Sequence, residues 1–498
     1  MELMNSSTIT RRQLLRSAGA GAAGVALATG VGELLGRAGG SSRAVAAAGT
    51  TAGTPPGPPR WRSRPDLRIP AITVTRLEAG AASEPIFIAP YNAPHAQAGA
   101  VIVDAAGEPL WEHPLRGKIA TNLRVQSYRA SPVLTWWEGT VELGHGVGEY
   151  VIADTSYRTV RRVQAAAGLR GDLHEFRITP RGTALLTSYV VTEADLSSVG
   201  GSRHGTIQDA IFQEVDLASG ELLLEWHSLE HVALSESYWP VTSDWDFFHI
   251  NSVDMDDEGN LLVSARSTHT VYKIARDGTI LWRLGGKYSD FEMGPGTRFA
   301  WQHDARRQRD GTITVFDNGA TPAVEALSRG LILDVDESAM RASLVSQYRH
   351  RGVLSGSQGS VQLLPGGNVF VGWGETPRIS EFRRDGELVF DAVLGAKYES
   401  YRAFRLPWSG RPAQAPAIAA ARSGSERMVY ASWNGATGVR AWRLLAGAHA
   451  GALRAVATGP SQGFETAFAL ERRTGPSVAM EALDGAGRAI ARTRAIAV

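Results

Sequence analysis

Residues 249–284 read HINSVDMDDEGNLLVSARSTHTVYKIARDGTILWRL. Short runs of apolar, β-branched and aromatic residues alternate with turns of the Asp-Asp-Glu-Gly and Arg-Asp-Gly kind. Nothing keeps a helical period, so the stretch predicts a series of short strands. The pattern recurs. HEFRITPRGTALLTSYVV opens a unit at residue 174, QHDARRQRDGTITVFDNG at 302 and GSVQLLPGGNVFVGWGE at 359, while ERMVYASWNGATGVRAWRL occupies 426–444. Repeated four-stranded antiparallel units predict an all-β chain, a six-bladed β-propeller. The count includes the less regular segments 75–170 and 461–498. A pair of β-sandwich domains is the alternative architecture.

The amino terminus reads as an address rather than as part of the fold. Thr10-Arg11-Arg12-Gln13-Leu14-Leu15 is a twin-arginine pattern, followed by an Ala/Gly-rich stretch and small-x-small sites ending at Ala48. Residues 1–48 are therefore expected to be a twin-arginine signal peptide, and the protein secreted, periplasmic or bound at the cell wall. Residues 49–70, with Thr-Pro-Pro-Gly-Pro-Pro at 54–59, read as a Pro/Gly-rich linker, and 71–498 as the propeller.

Composition removes several classes of function. There is no cysteine, which excludes disulfides, thiolate metal sites and a cysteine nucleophile. An exported chain without disulfides needs a large core, and roughly 450 residues can build one. The net charge is +1; the five arginines and two glutamates of residues 1–48 carry +3 of it, leaving the rest near −2. No basic block marks a nucleic-acid partner, and no later apolar run is long enough to span a membrane. The oligomeric state is not legible.

Histidine is scarce, twelve in 498 residues. Yet His174, His249 and His303 stand at matching places in three units, each followed eight to ten residues later by a turn glycine (Gly182, Gly259, Gly311). In a propeller those strand heads meet across the central channel. Arg266 ends the strand that follows His249. Neutral imidazole is a nucleophile and protonated imidazole a general acid. Arginine stays charged and matches a tetrahedral oxyanion. The combination suits transfer of a sulfuryl or phosphoryl group. Blander readings stand beside it. Each histidine taken alone is a structural hydrogen-bonder. Three histidines could hold zinc, although no HxH or HExxH spacing supports a metal and none is expected. Asp254 and Asp304 could be turn residues. Trp245 and Trp301 could stack on an aromatic substrate or simply pack.

The segments LHEFRITPRGTALLTS, DWDFFHINSVDMDDEGNLLVSARSTHTVYKI, GTILWRLGG, QHDARRQRDGTITVFDNG and GSVQLLPGGNVFVGWG together resemble the bacterial arylsulfotransferase family, which works without an activated-sulfate nucleotide. The resemblance implies a six-bladed propeller with no cofactor. It implies a two-step reaction on small molecules, an aryl sulfate donor and a phenolic acceptor. His303 would be the nucleophile that becomes a sulfohistidine. His249 and His174 would bind sulfate and handle protons, Arg266 would clamp the sulfate, and Asn251 would add a polar contact. One departure stands out: Asp304 follows the nucleophile where the enterobacterial branch has threonine. A carboxylate there is expected either to raise the pKa of His303 or to orient its ring. A non-catalytic propeller that binds an anionic or aromatic ligand, and an aryl sulfate hydrolase, are the alternatives. A quinone-dependent dehydrogenase would want eight blades and a calcium site.

Overall fold

The computed structural model describes residues 60–498 except 69, 93–96, 396, 424–425 and 472–473. The twin-arginine segment and most of the expected linker fall outside the described residues. Almost all regular structure is antiparallel strand, and among the described residues no helix is long and apolar enough to cross a membrane.

Six sheets follow one another along the chain. Their strand orders, inner strand first, begin Ala403–Arg405, Ile86–Ile88, Ala98–Val103, Pro109–Leu115, and then Ile119–Tyr128, Ser131–Glu142, His145–Ala153, Thr159–Val163. The third runs Phe176–Ile178, Thr183–Ala194, Gly205–Asp216, Leu222–His227, and the fourth Ile250–Met255, Leu261–Ala265, Thr270–Ile274, Ile280–Gly285. The fifth runs from His303–Arg307 through Ile313–Asp317 and Arg329–Asp336 to Arg341–Arg349, with Glu292–Met293 at its edge. The sixth runs from Ser360–Leu363 through Val369–Gly372 and Arg378–Phe382 to Leu388–Leu394, and Ile72–Leu77 adds its outermost strand. Each sheet packs on the next, and the sixth packs on the first. The first sheet takes its inner strand from residues 403–405 and the rest from residues 86–115, so both ends of the cycle are stitched into one sheet.

Local chemistry explains the turns. Asp256 Oδ1 accepts the N–H groups of Glu258 (3.0 Å) and Asn260 (2.8 Å), while Gly259 takes φ 86°. An Asp that bonds its own backbone and a glycine free to go left-handed close the hairpin. Between sheets the core is apolar: Phe212, Trp226, Phe248, Val263 and Tyr272 pack between the third and fourth.

Three expectations are corrected. Residues 417–498, including the unit at 426–444 and the segment 461–498, lie outside the six-sheet cycle. Their strands pair only among themselves, in two sheets that share a core of Val429, Trp442, Leu444, Val478 and Met480. The alternation there was a true strand signal, but nothing in it says which sheet a strand joins. The described end of the expected linker is not free either. Leu67 is buried, and Ser63 donates its N–H to Glu465 Oε1 at 2.6 Å. Asp254 is no turn residue; it is a buried strand residue paired with Arg177 Nε at 2.9 Å.

Candidate active site

The inner strands converge their heads on one another. His303 opens the inner strand of the fifth sheet, His249 directly precedes that of the fourth, and His174 lies two residues before that of the third. These heads are irregular. Pairing shifts register between Thr121 and Arg124, Ile250 and Ser252, and His303 and Arg306; Asn122, His249 and Asp304 have φ of 56°, 59° and 56°. Bulges of this kind re-aim side chains, here toward the centre.

The ring centroids of His174 and His249 are 4.8 Å apart, and those of His249 and His303 6.5 Å. His303 Nδ1 donates to Asn318 Oδ1 at 2.7 Å, and its Nε2 accepts the Gln358 N–H at 3.2 Å. This network assigns the neutral tautomer whose lone pair sits on Nε2. Burial, with Arg266 and the other histidines nearby, holds the His303 pKa well below the usual imidazole value. His249 Nδ1 is tied to Asp246 Oδ2, yet burial still depresses its pKa. His174 Nδ1 meets Asp172 Oδ2 at 2.6 Å. Burial opposes charge on Asp172, but His174, His145 and the Gly146 N–H outweigh it and lower its pKa.

Arg266 lies over the Trp301 ring at 5.0 Å and donates through Nη2 to Gly356 O at 3.1 Å. Its Nε has no partner, nor has Asn251 Oδ1. Asn251 spends its amide on Gln302 O at 2.7 Å. The cluster thus holds an uncommitted guanidinium donor beside buried imidazoles. His249 and Arg266 are only partly buried and mark its open side, whereas His174 and His303 are nearly closed off.

Trp301 belongs to this arrangement, but Trp245 does not. Trp245 fills the core between the third and fourth sheets, with Nε1 donating to Trp239 O at 3.1 Å. Asp304 is also corrected: it neither raises the His303 pKa nor orients the ring. It turns away into a buried charge network, with Oδ1 3.0 Å from Arg402 Nε and 2.8 Å from Arg306 Nη2. Glu175 completes that network, with Oε1 2.8 Å from Arg124 and Oε2 2.5 Å from Arg306. Three guanidiniums hold the Glu175 pKa below its usual range against the pull of burial.

Several site residues were not foreseen. His145 sits at the tip of a hairpin whose two turn residues, Leu143 and Gly144, have φ of 51° and 88°. A two-residue turn with both φ positive matches the twist of its strands; the His145 ring centroid lies 3.8 Å from that of Tyr189 and 5.2 Å from that of His249. Tyr401 stands 5.4 Å from His174 and 6.2 Å from His303. The stretch 397–422 supplies Tyr401, Arg402 and the inner strand of the first sheet. The signals available were an acid shortly before each histidine, Asp172-Leu173-His174 and Asp246-Phe247-Phe248-His249. A cavity of about 380 Å³ lined by Arg64, Trp111, Glu112, Tyr157 and Arg158 shares no residue with this cluster, where the reactive groups converge instead.

An all-β protein with a histidine–arginine cluster at converging strand heads is the class defined so far. The chain belongs to the arylsulfotransferase (ASST) family, whose model matches residues 124–395. At family level this makes it a sulfotransferase acting on small aryl substrates. No curated protein matches the chain. Solved structures that it resembles include a protein of unknown function from Bacteroides caccae, with 16% identity, a TM-score of 0.41, and 65% of this chain and 98% of that one covered. Another is the periplasmic gluconolactonase of Pseudomonas aeruginosa, at 13% and 0.36, covering 84% and 97%. A third is the Cps50 (Swd1) β-propeller domain of Myceliophteria thermophila, at 13% and 0.32, covering 63% and 93%. These likenesses are weak, and the fold rests on the strand pairing above.

Proposed function

We propose that this chain is an exported, nucleotide-independent sulfotransferase, and that its six successive sheets are the blades of a six-bladed propeller around the site. It moves a sulfuryl group from an aryl sulfate ester to a phenol through a sulfohistidine on His303. The observation that carries this reading is His303 itself: buried, neutral, with Nδ1 fixed by Asn318 and the lone pair left on Nε2.

In the first half-reaction Nε2 attacks sulfur, an N–S bond forms and the S–O(aryl) bond breaks. The leaving phenolate takes a proton from His174 or His249, protonated once the anionic sulfate is bound and stabilised by Asp172 or Asp246. Arg266 holds the sulfuryl oxygens, and the Gln358 N–H, released from Nε2, becomes a further donor; Asn251, whose amide is spent on Gln302 O, lines the space with its Oδ1. In the second half-reaction the same imidazoles take the proton of an acceptor phenol. The phenolate oxygen attacks sulfur, the N–S bond breaks, and His303 regains its lone pair. A twin-arginine signal over residues 1–48 would carry the folded chain out of the cytoplasm.

The test uses purified mature protein, 4-nitrophenyl sulfate and excess phenol, with a His303→Ala variant in parallel. Phenol-dependent nitrophenol release that the variant loses is the expected result. Release indifferent to phenol would mean hydrolysis, and no release at all would leave a binding protein.

A further inference from the structure

We infer that His145, Asp246 and His249 form a binding site for a first-row divalent transition-metal ion of the Zn²⁺ or Co²⁺ kind. One donor atom from each lies within 4.8 Å of the others. Asp246 Oδ2 is the shared point: His249 Nδ1 rests on it, and His145 Nε2 lies 3.1 Å from it. Two donors each about 2.0–2.2 Å from a tetrahedral ion stand roughly 3.3 Å apart, so the His145–Asp246 spacing already suits one ion.

The second observation is what the cluster leaves unmade. His145 is 6% exposed, yet neither ring nitrogen has a hydrogen-bond partner with acceptable geometry, and Asp246 Oδ1 has none either. A buried imidazole that meets a carboxylate without a well-aligned hydrogen bond is poorly compensated for its desolvation, which a ligated ion between them would improve. The ring is held in place by its neighbours: Tyr189 at 3.8 Å, and His174 edge-on at 5.9 Å. Two imidazole nitrogens and one carboxylate oxygen favour zinc, iron, cobalt, nickel or copper over magnesium or calcium. Asp246 and His249 are only partly buried, so an ion can reach the site. Metal at His249 Nδ1 displaces the proton shared with Asp246 and leaves the proton-donor role proposed above to His174. The metal-binding set differs from the three histidines that spacing singled out; His145 enters, and His174 and His303 do not.

The test uses tag-free mature protein stripped with chelator, then titrated with Co²⁺ by visible absorption and with Zn²⁺ by calorimetry. The expected result is one ion per chain, with ligand-field bands of a nitrogen–oxygen site. Affinity should fall at least tenfold in His145→Gln and in Asp246→Asn, and stay unchanged in His204→Ala, an exposed His–Glu pair elsewhere. Circular dichroism and the melting curve of the stripped protein confirm that the variants fold; should Asp246→Asn not fold, His145→Gln alone decides. No saturable binding, or binding unchanged in His145→Gln, overturns the inference. Sulfuryl transfer is measured separately on the stripped protein, so either reading can fail without the other.

Discussion

Asn318 Oδ1 lies 2.7 Å from His303 Nδ1, and the Asn318 amide nitrogen is committed to Ser355 O and Gln358 O, each at 3.0 Å. Those two bonds forbid the flipped amide, so Asn318 can only accept from the imidazole. The Nε2 lone pair of His303 is therefore a consequence of a loop at 355–358. Asn318→Leu should lower kcat on the order of 10²-fold or more with a small change in KM, because it releases the tautomer. Asn318→Asp keeps the acceptor for Nδ1 but sets its other oxygen against Ser355 O and Gln358 O, so it should melt lower while keeping more of the rate than Asn318→Leu. Steady-state kinetics on 4-nitrophenyl sulfate separates the two.

Arg266 offers a planar fork stacked over Trp301, which an ammonium cannot imitate. Arg266→Lys should raise KM for the aryl sulfate by about tenfold and lower kcat as well, since a clamped oxyanion gains charge in the transition state. Inhibition by inorganic sulfate should weaken in parallel, which initial rates at several sulfate concentrations will show.

Asp304 is tied to Arg306 and Arg402, not to the His303 ring. Replacing it leaves buried guanidiniums short of charge, a loss of about 3–5 kcal/mol for a broken buried pair. Asp304→Thr adds strain, because a β-branched residue must then adopt φ 56°. Both Asp304→Asn and Asp304→Thr should melt several degrees lower, Thr more so. The pH dependence of His303 sulfation should not move in the Asn variant. A shifted profile without a loss of melting temperature would return Asp304 to the nucleophile.

His303 and His269 both have pKa values below the ordinary imidazole value: the first by burial and Arg266, the second pushed to about 3 by burial, Arg266 and Lys287. In the unfolded chain each titrates near about 6.5. As pH falls below that value the unfolded chain gains protons that the native protein refuses. The stability they contribute is present above about pH 6.5 and is lost progressively toward pH 3. Melting temperature should fall from pH 7 to pH 4. His269→Phe, which keeps the stack on Tyr238, should flatten the slope.

Legibility divided along physical lines. The strand units at 174, 249, 302 and 359 were readable because each carries its own turn residues and an apolar alternation. The strand Ala403–Arg405 was not; three residues have no period, and only their pairing with Ile86–Ile88 identifies them. The C-terminal strands read correctly as strands, but partner choice is a long-range property. That His174, His249, His303 and Arg266 come together was legible because equivalent places in repeats converge. His145 opens the third strand of its sheet, outside that rule, and Asn318 follows the second strand of the fifth sheet. Asp172 and Asp246 were written just ahead of their histidines, yet an acid beside a turn is common enough to pass unremarked. Trp245 shows the reverse error, an aromatic near the motifs that turned out to fill core.

The most direct measurement mixes the protein rapidly with 4-nitrophenyl sulfate in the absence of phenol, then reads nitrophenol and the intact protein mass. A burst of one nitrophenol per chain is expected. One sulfuryl group should appear on the peptide containing His303, discharged by added phenol and missing in His303→Ala. Turnover with acceptor but with no burst and no adduct, or an adduct on another residue, would contradict transfer through a sulfohistidine on His303.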